Sequence, residues 1–589
     1  MDRADVADTN AVTDARDRSS GRDRLAHRAI VAGAFVVAML LFFRVPILSG
    51  FDLGFGDRGD AVIEISILEH WRNVLDGAAA WDTTGYFHPY RGTLGYNDGY
   101  LLYGLSYSFW RLFADPFHAD TLNVLTFKTI GFVAAYLLVA RTLGWGRVAA
   151  TLVALLWTVA SGISLQAVHV QLQSVALLPV AMMLAIAAVR AEQDGRRGRA
   201  RTLAVALAAL IAAWLLTAYY MAWFTIFSAA LFVACWCVLS DRWRPAAALA
   251  LARRHAVTLL CGVGAFAILV LPFLAIYLPK AGETGGHPYE EMLGYLVTPL
   301  IDMINVGPDN YLWGWLFRPL FALIHAEMPA DPMLPRRVLG GEHETGIPPI
   351  LFVLVVTAAW QIIVRRRIDG LPVSRELRAF ALATIIGWLL TLQFWSVSPW
   401  GLVYALVPGG KGLRVVSRYQ LWLVLPFLLL VVAVWRQRAT RLARSRPWLA
   451  AIFAVLLVAE NLSAETPAQL HHDEQQAAVS AIPPPPAACA SFYTVVTRRD
   501  EPLYLSAFKQ GLYPHNADAM LLAELWRVPT INGISTFNPP DWDFASPLAT
   551  DYDARVAAFA RRHRLHGLCR LDMRRARPWS RLVPAAAGS

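Results

Sequence analysis

Apolar runs of roughly twenty residues, the length needed to cross a bilayer, recur along this chain between short arginine-rich stretches and longer acidic and aromatic ones. The pattern predicts spans at about 29–49, 121–143, 148–165, 172–190, 202–217, 219–239, 256–278, 347–364, 379–395, 419–435 and 448–463, about eleven in all. A further apolar stretch at 101–113 is too short to cross and is expected as an interfacial or re-entrant helix ending near Asp115 and Pro116. Between it and the first span lies a long polar loop, 50–100, in which 60–75 has helical periodicity. Ala61, Ile65, Leu68 and Leu75 form an apolar stripe there, so this helix is expected to lie along the membrane surface with its carboxylates facing a cavity.

Charge gives the runs an orientation. Arg16, Arg18, Arg22, Arg24 and Arg28 precede the first span, and alternating the sides puts the arginine clusters at 141–147, 190–201, 242–254, 365–378 and 436–446 with them. By the positive-inside rule the amino terminus is cytoplasmic, and the 50–100 loop and the carboxyl terminus lie outside. Residues 1–28, polar and mixed in charge, read as a disordered cytoplasmic tail, and 29–464 as the membrane domain. From 465 the chain turns polar, a proline run at 483–486 reads as a stiff linker, and SFYTVV, DAMLLAELW, PTINGI, DARVAAFARRHRL and GLCRLD alternate strand-like and helix-like. The fold expected is therefore an all-α multi-pass membrane protein with a small C-terminal extracytoplasmic α/β domain, 465–589. Cys489 and Cys569 sit at its first and last predicted strands, in an oxidising compartment, and are expected to form a disulfide.

Composition narrows the class further. With 56% hydrophobic and 16% charged residues in 589, a soluble protein is excluded. The net charge of +10 resides in loop arginines that set topology, so no nucleic-acid partner is implied. No pair among the five cysteines has metal-ligand spacing, and neither a metal nor another cofactor is indicated.

Candidate chemistry collects on the predicted outer side. Asp57, Asp60 and Glu64 crowd within a few residues, Asp60 and Glu64 on one helix face, where like charges need a cation, a shared proton or a cationic transition state to relieve them. Lys411, Arg414 and Arg418 open the span at 419, where both the dipole and the positive-inside tendency disfavour cations. An anion must compensate: a phosphate bound by guanidinium forks, acids of neighbouring loops, or lipid headgroups. His70, His88, His169, Glu290 and Glu291 are the remaining candidates for the walls of a substrate cavity.

This arrangement resembles the GT-C superfamily of integral-membrane glycosyltransferases, and among them the large bacterial set of GT-C-like membrane proteins. The resemblance is carried by Gly56-Asp57 opening the first external loop, by the GLRVVSR segment at 412–418 and by the PTING phrase at 529–533. It implies a polyprenyl-phosphate-linked sugar as donor, an acid of the first loop as general base, a glycan or lipid acceptor, and transfer on the outer face of the bacterial plasma membrane. The metal-dependent oligosaccharyl branch would show further acidic motifs and a WWD-like triplet in the tail domain; this chain has Asp541-Trp542-Asp543 but no such triplet, so the resemblance implies metal-independent inversion. Two other classes stay open: a transporter or flippase of lipid-linked glycans, and a non-catalytic envelope assembly protein.

Overall fold

The computed structural model describes residues 25–240, 244–327, 341–465, 467–496 and 507–581, so most of the expected 1–28 tail lies outside the described residues. Among them seven helices are long and apolar enough to cross a membrane: Leu25–Phe42, Pro116–Thr142, Arg147–Val168, Val170–Gln193, Arg197–Leu215, Tyr219–Leu239 and Val416–Ser445. Ala256–Leu269 and Leu271–Thr284, bent by 53°, make an eighth if taken as one span. Pro272 lies in the first turn of the second of these, where it brings no amide hydrogen to continue the ladder. The other three expected spans coincide with shorter helices, Pro349–Arg365, Arg375–Leu390 and Pro447–Ala459. Seven or eight helices of crossing length thus stand where eleven were expected.

The Val416–Ser445 helix runs through the middle of the bundle. Nearly every residue between Tyr419 and Val434 is buried, as its all-round apolar sequence requires. The short apolar stretch is the Leu101–Trp110 helix. The chain restarts at Pro116, where Asp115 accepts hydrogen bonds from the amides of Phe117 and His118 (2.9 and 3.1 Å) and proline occupies the first turn.

The first-loop helix, Asp60–Leu75, differs from its expected setting. It is buried on all sides from Ala61 to Trp71, not laid on a surface by one stripe. The C-terminal helix Ala507–Trp526 and the Leu101–Trp110 helix cover it. Two of its polar side chains are paired inside: Glu69 Oε1 accepts from Tyr107 Oη (2.8 Å) and Arg111, and Asn73 Nδ2 donates to Glu524 Oε2 (2.9 Å). The start of the loop is held from the far end of the chain as well, because Leu53–Gly54 pairs antiparallel with Leu470–His471 and the Gly56 amide donates to Pro467 O (2.8 Å).

In the C-terminal part, Ser491–Val496 pairs parallel with Leu568–Asp572, which pairs antiparallel with Trp579–Arg581. The PTINGI phrase contributes one bridge, Phe492 to Thr530, and is otherwise irregular, with Asn532 Oδ1 accepting the Thr494 amide in place of a ladder bond (2.8 Å). Cys489 and Cys569 form the expected disulfide, their Cα atoms 5.6 Å apart across a separation of 80 residues. Closing a loop of that length is worth on the order of 4 kcal/mol in the chain-entropy model. Replacing both cysteines by serine is expected to lower the melting temperature of the purified protein, and non-reducing mass spectrometry of the unsubstituted chain to find neither thiol free. Equal melting curves would refute the stabilising role.

Candidate functional site

Gly56 sets the position of the acids. Its φ is +81°, and a Cβ there would lie 2.6 Å from Ala61 Cβ, so only glycine lets the chain turn this tightly into the helix. Asp57 follows, and its Oδ1 accepts the amides of Gly59 and Asp60 (both 2.8 Å), satisfying two donors at the start of the Asp60–Leu75 helix. Burial raises the proton affinity of Asp57, and the charge of Asp60 raises it further.

Asp60 is the more exposed of the two, and its Oδ2 lies 3.6 Å from His169 Nδ1. His169 Nε2 in turn lies 3.0 Å from Glu342 Oε1. Glu342 receives the fork of Arg418, with Nε 2.9 Å from Oε2 and Nη2 bonded to Oε1. Burial alone would raise the Glu342 pKa, but Arg418 and His169 outweigh it and hold the carboxyl well below the usual range. Arg418 is 8% exposed and stacks over the Tyr220 ring at 5.5 Å. Asp60, His169, Glu342 and Arg418, from four separate stretches of sequence, thus form one continuous polar chain.

Beside this chain, Tyr220 Oη accepts the amides of Arg414 and Val415 (2.8 and 3.1 Å), which fixes the 412–418 segment. The Arg414 guanidinium is 39% exposed, lies 3.5 Å from Glu291 Oε1 and 5.6 Å from the Tyr295 ring centroid. Glu291 also reaches His287 Nδ1 (3.1 Å). Lys411 lies over the Tyr404 ring at 5.6 Å, and Glu290 is exposed on the Tyr289–Leu293 helix. The compensating anion expected for the arginines is therefore Glu342 for Arg418, while Arg414 keeps an exposed face.

Glu64 departs from the expected cavity position. It is 3% exposed, and its Oε1 has no hydrogen-bond partner. It neighbours Asp120, 1% exposed, whose Oδ1 is likewise without a partner. Burial first and the Asp120 charge next raise the Glu64 pKa well above the usual carboxylate range, so the folded protein binds a proton here that the unfolded chain releases. Stability then falls as pH rises from the unfolded value towards the folded one. Glu64→Gln is expected to remove that slope and to stabilise the protein at neutral and alkaline pH, its amide donating to Asp120. Thermal unfolding between about pH 5 and 9 measures this, and an unchanged slope would refute it.

His70 and His88, expected as cavity walls, are held by other partners. His70 is fully buried, its Nε2 3.3 Å from Trp81 O and its Nδ1 3.7 Å from Glu524 Oε1. The His88 amide donates to Thr530 O (2.9 Å), and burial, with His563 nearby, lowers the pKa of its ring. Both belong to the contact between the first loop and the C-terminal part, which sequence alone does not place there. Asp98 was missed: its Oδ1 accepts the Tyr219 amide (2.9 Å), and burial, opposed by Arg418, pushes its pKa up to about 6. In sequence it reads as an ordinary Asn-Asp-Gly turn. Among the described residues no group of three or more His, Cys, Asp or Glu side chains is placed to hold a metal ion.

No family model matches this chain, and no curated protein matches it. Among solved structures it is similar to the crystal structure of ArnT from Cupriavidus metallidurans in the apo state, with a TM-score of 0.34 and 13% identity, covering 86% of each chain.

Proposed function

We propose that the protein is a membrane glycosyltransferase that moves a sugar from a polyprenyl-phosphate-linked donor to a glycan or lipid acceptor on the outer face of a bacterial plasma membrane. The observation that carries this reading is the polar chain from Asp60 through His169 and Glu342 to Arg418, which ties the acids of the first loop to the segment that bears the exposed Arg414. Asp57 acts as general base, taking the proton of the acceptor hydroxyl as the sugar's bond to phosphate breaks. Asp60, held by His169, raises the proton affinity of that base through its own negative charge. Arg414, with Lys411 beside it, binds the departing phosphate, for which guanidinium supplies two parallel donors. Arg418 anchors the segment through Glu342 rather than meeting substrate. The acceptor displaces phosphate in one step, so the reaction inverts the anomeric centre, and no step calls for a metal.

The test is sugar transfer in proteoliposomes holding the purified chain, a polyprenyl-phosphate-linked sugar and a candidate acceptor. Transfer that Asp57→Asn abolishes supports the reading, and no transfer with any polyprenyl-linked donor tried counts against it. A second reading, proton-coupled carriage of lipid-linked glycans, is favoured by the buried Glu64 and Asp120 pair, since carriers place ionisable pairs among their spans. Lys128 gives it no support: its Nζ sits 3.8 Å over the Phe42 ring and 3.4 Å from Thr158 O. Movement of a labelled lipid-linked glycan across the proteoliposome, driven by a pH gradient and without transfer, would select the carrier.

A further inference from the structure

Stretches far apart in sequence close a small cavity at the level where apolar helices end. Arg44 follows the first span, Leu25–Phe42; Ser161 and Ser164 lie on the short Ser161–Leu165 helix; and Glu465 comes after Pro447–Ala459. With Phe55 and Pro467 they line a space of about 20 Å³, room for little more than one water-sized group. Helices of this composition end where hydrocarbon gives way to lipid headgroups, so the cavity stands at headgroup depth.

Its polar groups are unevenly satisfied. Arg44 Nη1 donates to Leu41 O (3.1 Å) and Nη2 to Ser463 O, and among the described residues the guanidinium forms no ion pair. Guanidinium carries five N–H donors, so several remain for an anion. Ser161 is 1% exposed and its Oγ has no partner, while its amide donates to Asn461 Oδ1 (3.0 Å). A buried hydroxyl without a partner is costly, and this one borders a space from which an acceptor can reach it.

Glu465 supplies the opposite charge. It is exposed on the rim and shares a hydrogen bond with the buried Glu344, whose pKa is raised by burial and by the Glu465 charge; Glu344 therefore carries the proton and Glu465 the charge. A simple anion here would meet Glu465 as well as Arg44, whereas a zwitterion offers one charge to each. Leu40, four residues before Arg44 and so on the same helix face, is 52% exposed, an apolar surface along which an acyl chain can lie.

We propose that this corner is a lipid site for a zwitterionic phosphoethanolamine headgroup, a phosphate oxygen entering the cavity to accept from Ser161 Oγ and Arg44, and the ammonium standing at Glu465. The inference does not depend on the glycosyltransferase reading. It bears on the proposed reaction through the cavity walls: Phe55 precedes the Gly56 turn and Pro467 O accepts the Gly56 amide (2.8 Å), so the headgroup braces the turn that carries Asp57.

The experiment is native mass spectrometry of the full-length protein released from nanodiscs of phosphatidylethanolamine, phosphatidylcholine and phosphatidylglycerol in equal parts, beside thermal unfolding of each variant. The unsubstituted protein is expected to retain phosphatidylethanolamine above the other two, since choline has no N–H to donate to Glu465 and glycerol has no positive charge. Equal retention of all three would overturn the inference. Arg44→Gln removes the charge that meets the phosphate and is expected to lower this retention by about 10- to 150-fold, the loss of a hydrogen bond to a charged group. Retention unchanged by Arg44→Gln would likewise overturn it. Glu465→Gln, at an exposed position, keeps the phosphate contacts and should abolish the preference over phosphatidylglycerol. A preference that persists in Glu465→Gln counts against the assignment, and this variant decides the matter if Arg44→Gln does not fold. Soluble phosphoethanolamine that competes as well as the lipid would mean a free phosphate ester, and the lipid site would be refuted.

Discussion

Asp57→Asn is expected to lower sugar transfer by on the order of 100- to 10,000-fold, the usual loss when a general base is removed, with the fold intact. The fold survives because an asparagine Oδ1 can accept the same two amides, those of Gly59 and Asp60, that the aspartate accepts now. What disappears is the basic oxygen. Burial and the neighbouring charge of Asp60 raise the Asp57 pKa, which brings it nearer the working pH and makes it a better base than an ordinary carboxylate. The rate must then rise with pH as Asp57 ionises. Asp60→Asn removes a like charge, so the Asp57 pKa drops and this rising limb moves to lower pH. The competing assignment makes Asp60 the base, and it requires the reverse: Asp57→Asn nearly normal and Asp60→Asn inactive. Near-normal turnover by both variants would end the enzyme reading.

How far sequence carried depended on whether the deciding partner was local. The Asp115-Pro116 restart, the Leu101–Trp110 helix and the strands around Cys489 and Cys569 were legible because capping, span length and alternation are read within a few residues. The helix at 60–75 was legible as a helix but not in its burial. One of the two helices that cover it lies some 450 positions later: Asn73 meets Glu524 across a separation of 451. His70 and His88 likewise take partners from the far end of the chain, Glu524 for the first and Thr530 and His563 for the second. A misplaced cation, by contrast, announces that an anion is near without naming it. Arg418 did so, and the anion proved to be Glu342, 76 residues away. The span count differs because an apolar run does not fix helix length: Pro349–Arg365, Arg375–Leu390 and Pro447–Ala459 fall where spans were expected but are shorter than the crossing helices.

The largest expected effect on stability is at Arg418. Arg418→Met is expected to cost about 3–5 kcal/mol, because it leaves a largely buried carboxylate without its cation, and to lower the melting temperature accordingly. The pH dependence should weaken. In the unsubstituted protein Glu342 has a folded pKa well below its unfolded value, so its contribution is present above the ordinary carboxylate range and is lost only as pH falls into strong acid. Without Arg418 only His169 opposes burial, so the folded pKa rises and the loss of stability on acidification shrinks. Arg418→Lys keeps the charge but not the two-point fork to Oε1 and Oε2, and is expected to fall between. Arg418→Met combined with Glu342→Leu removes both buried charges and should recover most of the loss. It also strips His169 of one of its two partners, so activity should remain low while stability returns, with Asp60 no longer held. A double variant as unstable as the single one would show that Arg418 acts through something other than Glu342, and a double variant with full transfer would remove the His169 chain from the mechanism.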